Sequence, residues 1–221
     1  MRVNLSFGAY VILRRSTALR RSRSVNICCP SVRMRRNDAP HVAKALSTMT
    51  STICPTGIEA MLGEEELIVS KTDLKGRITY ANDVFVRMAK YSYSELMGAP
   101  HSLVRHPDMP RCVFKLLWDT LQARQEIFAY VVNLAKDGSH YWVFAHVTPT
   151  LDENGNIVGY HSNRRKPERV PVESISPIYK ALSAEEVRHA NARDGMRASF
   201  DMMVDLLKKQ GVGYDEFVLA L

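Results

Sequence analysis

Three short turn signals, each lying between two strand-like runs, constrain the fold of this chain most strongly. They occupy residues 73–76, 136–138 and 154–156. Each contains a glycine, which adopts the positive φ of a tight turn without steric cost. Short turns of this kind join neighbouring antiparallel strands. The sequence therefore predicts a sheet in which the strands run antiparallel.

The runs beside these turns are rich in β-branched and aromatic residues, which favour strands. Five strands are predicted, over residues 67–72, 77–80, 126–135, 139–150 and 157–163. The gap between the second and the third strand is long enough for several helices.

Helical signals fill that gap. Asn82 and Asp83 are typical caps of a short helix, and residues 92–97 form another helical turn. A longer helix is expected from Pro110 onward. Its apolar positions recur every three or four residues, which is typical of a helix with one buried face: Val113, Leu116, Leu117, Thr120 and Leu121.

The element order β-β-α-α-α-β-β-β predicts an α+β fold, a five-stranded antiparallel sheet with helices over one face. In such a design, a small ligand binds between the helices and the sheet.

The first 48 residues differ in composition from the rest. They contain nine Arg and one Lys against a single acid, Asp38, which gives this segment a charge of +9 and leaves −2 for the other residues. We therefore expect residues 1–48 to be a disordered Arg-rich segment. Its Arg/Ser-rich composition resembles an organelle targeting leader; the alternative, which we favour, is a disordered tail or an upstream stretch before a natural start at Met49. Because the rest is close to neutral, we expect no nucleic-acid partner.

A C-terminal helical extension is predicted over residues 173–221. Ser176 and Pro177 are typical of a helix start, and residues 183–186 fit a capping box. An apolar stripe follows and ends at Gly211: Met196, Phe200, Met203, Val204 and Leu207. A stripe of this kind usually packs on its own domain or on a sister subunit.

The sequence lacks the residues that several classes of function require. The four cysteines show no spacing typical of a metal site, so we expect no metal and a reducing, cytoplasmic location. No apolar run approaches the ~20 residues that cross a bilayer, so we expect no membrane insertion. The sequence contains no glycine-rich phosphate loop and no nucleophile–base pair. We therefore do not expect an enzyme.

One stretch before the long helix is distinctive. It reads GAPHSLVRHPDMP over residues 98–110 and resembles the PHxxVRHPDMP motif of the flavin-binding PAS domain of bacterial aerotaxis receptors. Residues 72–82, 136–142 and 176–182 are similar to the same family. The resemblance covers about residues 66–182 and implies a PAS domain at residues 64–168.

The resemblance implies a sensory domain that binds FAD non-covalently and reports redox or oxygen status. The transmembrane and chemotaxis signalling segments of those receptors have no counterpart in this sequence. We therefore expect the signal to pass to a signalling partner protein or through a homodimer.

Three residues of the distinctive stretch are predicted to bind the cofactor: Arg105, His106 and Asp108. They precede the helix that begins at Pro110, where guanidinium and backbone N–H donors can hold a phosphate. The alternative is that the three residues form a local ion-pair cluster that fixes the loop. The sequence leaves both alternatives open.

The other predicted cofactor-binding residues are Asn82, Phe114, Trp118 and Asn133. Asn133 lies in an apolar run and either offers its amide to the ring edge or faces solvent. Asn82 either contacts the cofactor or only caps a helix. Phe114 and Trp118 match an aromatic pair of the family, and Trp118 either stacks on the ring or closes the core. Ile127 is a departure, because family members often carry Trp at that position.

Three alternatives to a flavin redox sensor remain. A light sensor of the flavin–thiol type requires a cysteine beside the ring, and Cys112 lacks the motif of that class. A haem sensor requires an axial histidine, for which His101 and His106 are the candidates, and we rank haem well below flavin. The strongest competitor is a cofactor-free PAS module that serves as a dimerisation or adaptor surface.

Overall fold

Five antiparallel strands organise the fold. The computed structural model describes residues 53–221, so the predictions for residues 1–48 and for Met49 lie outside the described residues. The strands form a sheet in the order β2-β1-β5-β4-β3, in which all neighbours are antiparallel. The predicted five-stranded antiparallel sheet is confirmed. Its strands are β1 (Ile68–Thr72), β2 (Ile78–Ala81), β3 (Ile127–Leu134), β4 (His140–Leu151) and β5 (Ile157–Arg165).

The turn after β1 shows why the hairpins form. Asp73 Oδ1 accepts the backbone N–H groups of Lys75 and Arg77, each at 2.8 Å. Gly76 has a φ of 71°, which the turn requires. Asp152 Oδ1 accepts two backbone N–H groups in the turn before β5 in the same way. These carboxylates satisfy backbone donors that a sharp reversal would leave unpaired.

Three helices and a 3-10 turn cover one face of the sheet. The helices are α1 (Asp83–Ala89), α2 (Tyr93–Leu96) and α3 (Arg111–Gln122), and the 3-10 turn is His101–Val104. Helix α1 begins at the predicted place, because Asn82 Oδ1 accepts the N–H of Phe85 at 3.1 Å. The predicted helical segments between β2 and β3 are therefore present.

The packed structure begins before residue 64, the predicted start of the domain. The Ala60 N–H donates to the His140 carbonyl at 2.7 Å, and the His140 N–H donates to the Ile58 carbonyl at 2.9 Å. Leu62 is buried in the core. Residues 56–60 thus pair with the beginning of β4, although their sequence shows no strand pattern.

The C-terminal extension is helical, as predicted. It consists of α4 (Arg169–Val187), α5 (Ala192–Gln210) and α6 (Tyr214–Ala220). Helix α5 ends at the predicted glycine, because Gly211 adopts the left-handed conformation with a φ of 72°.

The predicted helix start at Ser176 and Pro177 is wrong, because both residues lie inside α4. Tertiary packing overrides the local signal: Ile175, Tyr179 and Leu182 are buried against the core on either side of the proline. The capping box predicted at residues 183–186 is wrong for the same reason, since α4 runs through it.

The C-terminal helices also reach the face of the sheet that α1 to α3 leave uncovered. The Tyr179 hydroxyl of α4 donates to the Tyr130 carbonyl at 2.8 Å. Tyr179 also stacks on Trp142 of β4, with ring centres 6.5 Å apart. The sheet is therefore covered on both faces near β3 and β4.

Within residues 53–221, none of the helices is both long enough and apolar enough to cross a lipid bilayer.

Candidate functional site

A cavity of about 370 Å³ lies between the sheet and α3. This volume falls within the range of small-molecule sites in proteins. The floor comes from the sheet, and the opposite wall comes from α3 and residues 100–105. The predicted location of a ligand site, between helices and sheet, therefore contains a cavity.

The alternation of side chains along the strands builds the floor. Alternate residues from β1, β3, β4 and β5 line the cavity: Ser70, Thr72, Val131, Asn133, Ala145, Val147, Tyr160, Ser162 and Arg164. The apolar members lie in the middle of the sheet. The polar members come mainly from β1 and β5.

Helix α3 supplies an aromatic and aliphatic wall through Phe114, Leu117, Trp118 and Leu121. Trp118 meets Tyr160 edge to face, with ring centres 5.1 Å apart. Trp118 thus lines the cavity and also packs against the core, as each of its two predicted roles requires.

Gly76 of the first hairpin packs against that wall. A Cβ added at Gly76 would lie 3.3 Å from the Trp118 ring. Because this glycine also has a positive φ, a larger residue would be strained and would crowd the ring.

Arg105 lines the cavity together with Phe114. Its guanidinium carbon lies 3.7 Å from the centre of the Phe114 ring. Its Nε is buried without a hydrogen-bond partner. The Arg105 backbone forms a bridge with Asn133 at the edge of β3. Arg105 therefore lines the cavity with a buried nitrogen that has no hydrogen-bond partner.

His106 and Asp108 do not line the cavity. His106 Nδ1 accepts the Asp108 N–H at 3.2 Å and lies 3.7 Å from the Asp108 carboxylate. The His106 ring packs edge-on against His140. Burial lowers the pKa of His106, and the Asp108 charge partly opposes this shift. These two residues fix the loop, while Arg105 forms no ion pair with either of them.

Asn133 is buried, with an exposed fraction of 4%. The alternative in which Asn133 faces solvent is therefore wrong. Its amide nitrogen has no hydrogen-bond partner. A buried amide donor without a partner is unfavourable, so this group is available to a ligand acceptor.

Asn82 lies outside the cavity lining, and both the oxygen and the nitrogen of its amide form hydrogen bonds. Its Oδ1 accepts the N–H groups of Phe85 and Val69, at 3.1 and 3.0 Å. Its Nδ2 donates to the Leu67 carbonyl at 2.8 Å. Of its two predicted roles, the structure favours the helix cap, with a second task of holding β1.

Sequence reasoning missed a polar group at the β1–β5 side of the cavity. His101 Nε2 lies 3.2 Å from Ser70 Oγ, and Arg164 Nη2 donates to the same oxygen. Burial, followed by the charge of Arg164, lowers the pKa of His101 to about 3. Extending the alternation of β5 by one residue would have found Arg164, because the predicted strand stopped at residue 163.

The surroundings of Cys112 do not favour a flavin–thiol light sensor, and those of His101 do not favour haem ligation. Cys112 is buried outside the cavity lining, and burial raises the pKa of its thiol to about 11. His101 lines the cavity, but its Nε2 is engaged with Ser70. Within residues 53–221, His, Cys, Asp and Glu side chains form no cluster suited to a metal ion.

Comparison with known proteins gives similarities over the same region. Residues 68–162 match the protein family described as PAS fold. The chain is 42% identical over 123 residues to the aerotaxis receptor of Escherichia coli strain K12, covering 56% of this chain and 24% of the receptor. It is 32% identical over 105 residues to the nitrogen fixation regulatory protein of Klebsiella pneumoniae, covering 48% of this chain and 21% of that protein.

A solved light-oxygen-voltage domain is similar at 20% identity and a TM-score of 0.46, covering 56% of this chain and 90% of that chain. The chain spans about a quarter or less of the length of the two curated relatives.

Proposed function

Because residues 68–162 form a PAS domain, we propose that the chain is a sensory module that binds FAD non-covalently. We further propose that it reports redox or oxygen status to a partner protein or a second subunit, in a cytoplasmic setting. The observation that carries this proposal is the cavity, which combines apolar walls with buried donors that have no partner.

The residues present fit a flavin. A flavin ring requires an apolar slot and hydrogen-bond partners along one edge. Phe114, Trp118 and Val131 supply apolar surface on the two sides of the cavity. The unpartnered amide nitrogen of Asn133 supplies a donor for a ring acceptor.

The diphosphate of FAD carries negative charge and therefore requires positively charged side chains nearby. Lys75 and Arg105 line the cavity, and no Asp or Glu does. Both can form charge-assisted hydrogen bonds to a diphosphate. The similarity to an aerotaxis receptor at 42% identity also supports a flavin sensor.

A bound flavin would supply reversible electron transfer. The chain's own residues would bind the ring and register its state. The Asn133 amide can donate or accept, so its best orientation depends on which ring atoms carry protons. Leu117 and Leu121 of α3 line the same cavity, and their apolar side chains would keep water away from a bound ring.

The test is an absorbance spectrum of the purified 221-residue chain, before and after incubation with FAD, FMN and haem. We expect a flavin spectrum and release of FAD on heating or acid treatment. Protein that stays colourless after all three incubations would contradict the proposal and favour the adaptor function. A haem spectrum would reassign the cofactor.

A second measurement identifies the cavity as the site. Gly76→Val places a branched side chain against Trp118, so we expect loss of flavin binding. Gly155→Val is the matched control, because Gly155 also has a positive φ but lies in the turn before β5, outside the cavity lining. Equal flavin retention by both variants would place the flavin elsewhere.

A further inference from the structure

Unpartnered polar groups gather around the cavity. In residues 53–221, six buried side-chain atoms have no hydrogen-bond partner. Four of them belong to residues that line the cavity, Arg105, Asn133 and Arg164, and a fifth is the hydroxyl of Tyr141, which lies outside the lining. Asn133 and Tyr141 are directly paired across β3 and β4, and the Arg105 backbone is bridged to Asn133. Buried polar groups are nearly always satisfied in native proteins. This concentration therefore indicates that the cavity requires partners from outside the chain.

Arg164 has the most unusual surroundings of the four. Its exposed fraction is 3%, and both Nε and Nη1 lack a partner. The remaining nitrogen donates to Ser70 Oγ, and the guanidinium lies 4.4 Å from the centre of the Phe85 ring. The ion pairs formed within the described residues do not include Arg164. Arg164 is thus a buried cation without a counter-ion.

The neighbours of Arg164 do not neutralise it. Burial lowers the pKa of Arg164 to about 10, so the guanidinium is charged at neutral pH. His101 beside it is neutral at that pH. Among the residues that line the cavity, Lys75 and Arg105 add positive charge and no carboxylate offsets it. The cavity lining is therefore positive, with its most deeply buried charge at Arg164.

The fold alone does not explain such a residue. A buried charge without a partner destabilises a protein, and an apolar side chain of similar volume is often at least as stabilising. The burial of Arg164 is explained if a bound ligand supplies hydrogen-bond acceptors to its unpartnered Nε and Nη1.

We propose that Arg164 determines the ligand specificity of the cavity by binding a buried ligand edge that carries acceptors and negative charge. The ligand class is a heteroaromatic ring with conjugated carbonyl groups, and cationic rings are rejected. This inference rests on the proposed function, because it concerns the ligand of the same cavity. The carbonyl and ring-nitrogen acceptors of a flavin belong to this class.

The test uses lumiflavin, which has the flavin ring but no phosphate, and the 221-residue chain. Arg164→Met removes the charge and keeps the volume, whereas Arg164→Lys keeps the charge. We expect Arg164→Met to weaken lumiflavin binding at least about tenfold, because a charge-assisted contact is lost. We expect Arg164→Lys to retain more of the affinity. Fluorescence titration measures both dissociation constants.

The matched control is Arg165→Met. Arg165 is the next residue of β5, but it is exposed and lies on the other face of the sheet, 5.1 Å from the centre of the Phe144 ring. We expect this variant to bind lumiflavin with unchanged affinity.

Two further measurements separate a ligand-binding role from a structural one. The ligand-free melting temperature of Arg164→Met should equal or exceed that of the wild type, since the variant loses an uncompensated buried charge. The cationic ring proflavine should bind Arg164→Met more tightly than the wild type. A lower melting temperature together with unchanged lumiflavin binding would overturn the proposal.

These outcomes also distinguish the two proposals. A wild-type chain that binds neither FAD nor lumiflavin would refute the flavin function. The role of Arg164 would then be decided by the melting temperatures and by proflavine. A lower melting temperature of Arg164→Met without a gain in proflavine affinity would refute it.

Discussion

At the scale of single residues, His101 connects the electrostatics of the cavity to the stability of the fold. His101 is neutral because burial and the charge of Arg164 lower its pKa from 6.5 to about 3. The unfolded chain binds a proton near the ordinary pKa, whereas the folded chain does not. The stabilisation from neutral His101 is therefore complete above the unfolded pKa and is lost as the pH falls toward the folded pKa.

This difference predicts a pH-dependent stability. We expect the free energy of unfolding to fall by about 2 kcal/mol between about pH 7 and about pH 5 on account of His101. His101→Gln should remove most of that slope, because Gln does not titrate. His189→Gln is the control, since His189 lies at the surface between α4 and α5. Urea denaturation at the two pH values measures the effect, and equal slopes in all three proteins would contradict it.

Asn133 carries a second prediction at this scale. Asn133→Asp keeps the volume of the side chain but replaces a donor with an acceptor and adds negative charge. Negative charge near the ring disfavours electron uptake, so we expect flavin to be retained with a potential lower by about 30 mV or more. Asn163→Asp is the control, because it adds the same charge to the other face of the sheet. A redox titration in which both variants match the wild type would place Asn133 away from the ring.

The roles that depend on neighbouring residues in the sequence were easier to predict than the roles that depend on tertiary packing. The cap at Asn82 follows from its position before an amphipathic segment. The burial of Asn133 was one of two alternatives, because a strand pattern does not tell which face is covered. Arg164 was missed, because a charged residue after an apolar strand usually marks its end. Only the packing of β1 and α1 around Arg164 shows that the strand continues into the core.

At the scale of elements, the sheet and its helices were predicted because each begins or ends at a strong local signal. The turns at Asp73 and Asp152 fix the hairpins through side-chain hydrogen bonds. The segment at residues 56–60 and the first two turns of α4 carry no such signal. They are held by contacts with distant residues, such as the hydrogen bonds of His140.

Helix α4 gives the third prediction. Pro177 is exposed within α4 and cannot donate to the preceding turn. We expect Pro177→Ala to raise the free energy of unfolding by about 1–3 kcal/mol, because alanine restores a backbone donor and has the best helix propensity. Lys180→Ala, at an exposed site one turn later, controls for propensity alone. A decrease in stability for Pro177→Ala would mean that the packing of Tyr179 and Leu182 depends on the proline.

At the scale of the whole molecule, two links join the cavity to the C-terminal helices. β3 is an edge strand that carries Asn133, and its Tyr130 carbonyl accepts the Tyr179 hydroxyl of α4 at 2.8 Å. α3 forms the other wall, and Glu186 of α4 accepts the Cys112 N–H near the start of α3 at 3.0 Å. Both walls of the cavity are therefore hydrogen-bonded to the same helix. A change in the ring that shifts β3 relative to α3 would act on α4 at two points.

This arrangement leads to the fourth prediction, which concerns signal transfer. We expect hydrogen exchange across residues 169–210 to differ between the oxidised and the reduced flavin forms. A difference of about 1–3 kcal/mol in local opening is typical of coupled sites. Tyr179→Phe should reduce this difference and keep flavin bound, since it removes the link between β3 and α4 without opening the cavity.

Tyr214→Phe is the matched control for this experiment. The Tyr214 hydroxyl is buried in the same cluster but has no hydrogen-bond partner, so its removal breaks no link. We expect Tyr214→Phe to keep the full difference between the two redox forms and to be as stable as the wild type. Equal exchange of residues 169–210 in both forms of the wild type would mean that α4 and α5 are a static brace.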